Sequence, residues 1–124
     1  MSIASEIALF VSILGCVFIL VIGTRFLLVP KSALAGFGIT ADRRRGLTNI
    51  KGVRDITSGI VPLVALLVGG PGVFGWVLVA AAITPIGDAV IVAANGGSIR
   101  HALTVHAATA ALLVLAGLVL GLSF

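Results

Sequence analysis

The chain alternates long apolar runs with short polar breaks, and the breaks decide how many helices it makes. The first run covers about residues 6–29; it is uncharged from Ile7 to Thr24, meets Arg25, and stops at Pro30-Lys31. Further runs cover about 47–68, 73–94 and 102–122. About 20 predominantly apolar residues cross the hydrocarbon of a bilayer as a helix, so each run is long enough to span. Gly69-Gly-Pro-Gly72 and Asn95-Gly-Gly-Ser98 carry turn chemistry, and only the stretch 31–46 reads as a long polar loop. The pattern predicts an all-α fold: one membrane domain, 1–124, built as a four-helix transmembrane bundle running up-down-up-down.

Composition agrees with that class. Of 124 residues 60% are hydrophobic and only 10% charged, whereas a soluble domain is nearer half apolar and a quarter charged. Eight Lys and Arg against four acids give +4, and the excess is local. Lys31, Arg43, Arg44, Arg45 and Lys51 flank the first loop, Arg100 sits in the third, and the second loop and both termini have none. Since cytoplasmic loops carry the positive excess, 31–46 is expected in the cytoplasm and both termini on the extracytoplasmic side of the cell (inner or plasma) membrane. Met1 to Glu6 holds no Lys or Arg, and the run that follows is too long for a cleaved leader, so a retained first span is expected. The run Arg43-Arg44-Arg45 could also meet anionic lipid. Without interleaved aromatics it does not suggest nucleic acid. Cys16 stands alone, which excludes an internal disulfide and a Cys-based metal site.

The ionisable residues inside the spans are the unusual feature. On a helix Lys51, Arg54, Asp55, Ser58 and Pro62 share one face. A charge at membrane depth is costly and ordinarily faces the bundle interior or a wet cavity, so that face is expected to find partners there. With a rise of about 1.5 Å per residue, Arg25, Asp55, Asp88 and His106 all fall about 9–12 Å inside the cytoplasmic ends of their spans. The outer half of every span lacks charge. One inner layer contributed by four helices is the expectation. Arg25 and Arg54 are expected to pair with Asp55 and Asp88, while Lys51 snorkels to water. Thr84 and Asn95 on one span, and Thr109 beside His106 on another, extend polar stripes that should face inward. Pro62 and Pro85 each remove a backbone bond on the apolar side of this layer. Gly117 and Gly121 form a GxxxG that suits packing inside the monomer or a homodimer, and Trp76 suits an interfacial anchor. His101 and His106 are five apart and expected on different faces, so no metal and no cofactor is expected.

These residues also resemble a known group. Arg25-Phe-Leu-Leu-Val-Pro30, Gly36-Phe-Gly38, Lys51-Gly-Val-Arg-Asp55, Pro85-Ile-Gly-Asp-Ala-Val-Ile-Val92 and His106 resemble a family of small bacterial and fungal four-span membrane proteins known only as a domain of unknown function. More distantly, the architecture is similar to the DoxX-like four-helix membrane proteins. The resemblance implies the four-span fold and no activity, cofactor or substrate.

Three functions suit such a layer. The first is a pocket for a small lipophilic molecule entering from the inner leaflet, with Asp55, Asp88 and His106 as candidate acid and base. Arg25, Lys51, Arg54, Thr84 and Asn95 would then hold the ligand. The second is proton-coupled transport, which the charge-free outer half does not favour. The third is a structural or partner-binding subunit in which ion pairs only set helix packing.

Overall fold

A computed structural model of the chain describes residues 1–29, 32–33 and 45–124. The expected loop with Lys31, Gly36-Phe-Gly38, Asp42, Arg43 and Arg44 lies almost wholly outside them. The described residues are helical, with no strand among them. Helix α1 (Ile3–Leu28) starts where the Ser2 hydroxyl accepts from the Ser5 N–H at 3.1 Å, with Glu6 in the first turn against the positive end of the helix dipole. It ends two residues before Pro30, because the residue preceding a proline is pushed out of the helical region.

Helix α2 (Arg45–Ala81) is continuous except at Gly70, whose φ of 75° and ψ of −174° only glycine adopts readily. Pro71 then begins the next turn, where its fixed φ suits a helix start and its missing N–H costs nothing. Arg54 and Asp88 lie 34 residues apart in sequence, yet Nη2 of one is 3.1 Å from Oδ1 of the other. An unbroken helix would separate them by about 50 Å, so the chain doubles back at Gly70.

Helix α3 (Ile83–Ala94) continues the returning arm after a break at Ala82, where Pro85 deprives the Ala81 carbonyl of its helical donor. It closes with Asn95 as cap, Gly96 at φ 77° and a bond of 2.9 Å from the Gly97 N–H to the Val92 carbonyl. That is a Schellman ending, which glycine makes possible. The last arm is α4 (Ile99–His101), a π-helical turn (Ala102–Ala107) and α5 (Ala108–Ser123).

Three stretches, Ile3–Leu28, Leu47–Ala94 and Ile99–Ser123, are long and apolar enough to cross a membrane. Their side chains are sorted accordingly. Large apolar residues such as Phe10, Phe18, Leu67, Val68 and Leu115 point outward, while Ser5, Ser12, Thr48, Asp55, Asp88 and His106 are buried. In water this arrangement would expose a continuous apolar coat, so the surface is made for lipid.

Small residues make the close approaches. Cys16 lies beside Gly59, and Gly23 beside Gly52, so α1 and the first arm of α2 run antiparallel. A Cβ on Gly23 would stand 2.7 Å from the Gly52 carbonyl oxygen, and one on Gly52 would stand 2.8 Å from that of Gly23. The Gly117–Gly121 pair is used in the same way inside the chain: Gly117 meets Gly75, and Gly121 meets the Trp76 ring. Gly117 and Gly121 thus serve packing inside the monomer, one of the two uses expected of them. A core of Ala8, Cys16, Phe74, Leu78, Ala116 and Leu120 fills the end of the molecule away from the charges.

The Gly23–Gly52 crossing yields a test. Gly52→Ala must push two backbones apart and is expected to cost about 1–3 kcal/mol of stability, whereas Gly15, with nothing within 4 Å of a built Cβ, should tolerate Ala without loss. Thermal unfolding of both variants in the same detergent decides; equal midpoints would contradict the packing described.

Candidate functional site

The first arm of α2 buries Thr48, Gly52, Asp55, Gly59 and Pro62, a repeat of four and three that turns one face to its neighbours. Asp55 is on that face with its side chain only 2% exposed, and Asp88 comes to it from α3 with 9%. A carboxylate taken out of water needs a cation and hydrogen bonds to stay charged. Here two cations supply them. Lys51 Nζ donates to Asp55 Oδ2 at 2.5 Å from one turn earlier on the same helix. Arg54 Nη2 donates to Asp88 Oδ1 and Oδ2 at 3.1 and 3.2 Å, and the same nitrogen lies 3.5 Å from Asp55 Oδ1. The chain of four groups is neutral and ties both arms of the hairpin together.

Two members differ from the expected pairing. Lys51 does not snorkel away: its ammonium sits 4.8 Å above the ring of the buried Phe26 of α1 while it bonds Asp55. A cation–π contact and a charge-assisted bond together outweigh the pull of water on that head group. Arg25 does not reach a carboxylate among the described residues. It is exposed, and its Nη2 donates to the Ser32 hydroxyl at 2.8 Å. Two cations and two acids do form the set, with Lys51 in the place expected for Arg25.

His106 is buried on the π-helical turn, which packs against α3. That turn overturns the expectation that His101 and His106 face apart: their ring centroids are 5.9 Å apart. In a π-helix the N–H of residue i+5 bonds the carbonyl of residue i, as Ala108 does to Leu103, so residues five apart share a face. The described residues contain no group of three or more His, Cys, Asp or Glu placed to hold a metal ion.

The polar stripes fare unevenly. Asn95 is exposed and donates from Nδ2 to the Ile91 carbonyl at 2.8 Å; Thr109 is exposed and donates to the Val105 carbonyl at 2.5 Å. Such side chains satisfy themselves on their own helix one turn back and need no inward partner. Thr84 is half-buried and makes no hydrogen bond among the described residues. Reasoning from the sequence overlooked Phe26 beneath Lys51, His101 beside His106, and Ser12, whose buried hydroxyl has no hydrogen-bond partner among the described residues. The stripe Ser5, Ala8, Ser12, Cys16 was the available signal for the last.

A family model described as a domain of unknown function (DUF4267) matches residues 16–120, a stretch that holds α1 from Cys16, both acids of the cluster and His106. The chain belongs to the DUF4267 family. No curated protein and no solved structure matches this DUF4267 chain. The match bears on the uncharacterised family expected from the motifs and not on the more distant DoxX-like likeness.

Site membership can be ranked by substitution. Asp55→Ala removes the buried carboxylate that Lys51 bonds, while Arg54 keeps Asp88, and is expected to cost about 3–5 kcal/mol, the usual loss on breaking a buried pair. Asn95→Ala removes an exposed bond within one helix and should cost no more than about 1 kcal/mol. Chemical or thermal unfolding in detergent measures both, and a loss at Asn95 equal to that at Asp55 would contradict the geometry.

Proposed function

We propose that this DUF4267 protein is a multi-pass protein of the cell membrane whose buried polar cluster forms one wall of a binding site for a small lipophilic molecule on the inner-leaflet side. The supporting observation is the asymmetry of burial in the cluster. Both acids are shielded, at 2% and 9%, while the Arg54 side chain that joins them is 41% exposed. A cluster that only held helices in register would gain nothing from an open cation. A site that must greet a ligand needs one.

In this reading the chain crosses four times, up-down-up-down, with both termini outside. The Leu47–Ala94 stretch supports it: 48 residues of helix would measure about 70 Å unbroken, more than twice the hydrocarbon thickness. Asp55, Asp88 and His106 are the groups available for proton transfer, and Lys51 and Arg54 hold the acids charged or meet a polar part of the ligand. Arg25, Thr84 and Asn95, which stand apart from the cluster, would act at its margin.

A second reading is favoured by one observation. Asp55 has a cation on each oxygen, at 2.5 and 3.5 Å, so that half of the cluster is satisfied from within and could serve packing alone.

The two readings part on ligand binding. Lipid-reconstituted protein screened with lipophilic compounds should show ligands that raise its melting temperature, and Asp88→Asn should abolish the rise. A screen in which no lipophile stabilises the wild type, or in which Asp88→Asn responds equally, would favour the packing role. Orientation is checked separately with a membrane-impermeant thiol reagent on a Cys16→Ala background. Ser123→Cys should label from outside intact cells and Ser98→Cys only after permeabilisation; the reverse pattern would invert the topology.

A further inference from the structure

Arg54 has hydrogen-bonding capacity that the described residues do not use. Its guanidinium carries five N–H donors, and the contacts to Asp55 and Asp88 all fall on Nη2. Asp88 takes both its bonds from that one nitrogen rather than from a fork of two. Nε–H and the two N–H groups of Nη1 have no acceptor among the described residues.

The Arg54 side chain is 41% exposed, and Ile50 and Val53, one turn and one residue earlier on α2, turn large apolar groups outward. Charged donors left bare against hydrocarbon would be expensive, so they call for an acceptor beyond the described residues. A planar fork with adjacent free N–H groups matches the paired oxygens of a phosphate or carboxylate.

Charge points the same way. Lys51 and Arg54 offset Asp55 and Asp88, which leaves Arg25 over. Gly23 against Gly52, and Phe26 under Lys51, bring Arg25 to the level of the cluster, and among the described residues it bonds the neutral Ser32 hydroxyl. Among the described residues that level therefore carries one more Lys or Arg than acids.

We infer that the free edge of the Arg54 guanidinium binds the anionic head, phosphate or carboxylate, of an amphiphile whose tail lies along the apolar face beside it. The inference rests on the binding-site reading above and adds the charge of the ligand. Arg54 grips the head with Nε and Nη1 while Asp88 and Asp55 hold Nη2, so the acids orient the guanidinium and the tail supplies the apolar contact.

Native mass spectrometry of the protein released from nanodiscs tests this, with equal fractions of phosphatidylglycerol and phosphatidylcholine and, in a second arm, oleate. The wild type should retain an anionic amphiphile at least about tenfold over phosphatidylcholine, the worth of one hydrogen bond to a charged group. The double variant Arg54→Gln/Asp88→Asn keeps the cluster neutral. It should lose that preference while keeping its helicity by circular dichroism. Replacing Arg43, Arg44 and Arg45 together by Ala should leave the preference in place; if it vanishes there instead, the loop is the site and the inference fails. Displacement by millimolar inorganic phosphate would assign the edge to free phosphate and overturn the amphiphile. Phosphatidylcholine retained as well as phosphatidylglycerol, and lost in the double variant, would overturn the anionic head yet leave a lipophile site standing. Retention of no lipid at all would remove both.

Discussion

Two carboxylates held inside an apolar bundle are the constraint on which the rest of the molecule depends. Asp55 and Asp88 stand on different arms of a hairpin, and neither can stay charged there without cations beside it. Lys51 and Arg54 come from a single turn of α2, so that turn must face α3 at one height only. A slip of the hairpin by one residue would rotate α3 by about 100° and take Asp88 away from Arg54. Apolar packing tolerates such slips far better, since lipid tails offer no gain for one helix face over another. The ion pairs thus supply the register that hydrophobicity cannot.

Everything near the cluster serves that register. Gly23 and Gly52 bring α1 onto α2 closely enough to slide the Phe26 ring under Lys51. Gly70 reverses the chain within one residue and Pro85 bends the returning arm just before Asp88. The π-helical turn carries the buried His106 against α3 and keeps His101 beside it. At the other end Gly75, Gly117 and Gly121 bring the arms together through close contacts, Gly75 to the Gly117 and Gly121 backbone and Gly121 to the Trp76 ring, over an apolar core. Polar specificity at one end and small-residue packing at the other divide the work.

Much of this was legible because lipid imposes simple rules. Apolar runs of span length and the glycine-rich breaks between them gave the helices, and Gly69-Gly-Pro-Gly72 marked the reversal that falls at Gly70. The cost of buried charge singled out a layer of Arg25, Arg54, Asp55, Asp88 and His106, with Lys51 at its edge, and Arg54, Asp55 and Asp88 do meet. Partner choice within the group was not legible. Nothing in the spacing of Lys51 says that an aromatic from α1 will cover it, and Arg25 had no visible reason to turn to Ser32. Thr109 and Asn95 misled because a hydroxyl or amide can bond its own helix, so polarity alone does not tell which way a face points. His101 and His106 misled for another reason: the faces were counted with an α-helical period, and one π-helical turn changes the count. The helices follow from summed composition, which is robust, whereas the site follows from single contacts.

The central claim is that Arg54 and Asp88 are coupled across the hairpin and fix its register. A double-mutant cycle with Arg54→Met, Asp88→Leu and the pair of them, read as unfolding free energy in one detergent, measures that coupling directly. The account predicts that each single change destabilises strongly and that the double variant recovers much of the loss, a coupling of about 1–3 kcal/mol. Single losses that add to within about 0.5 kcal/mol in the double variant would contradict it.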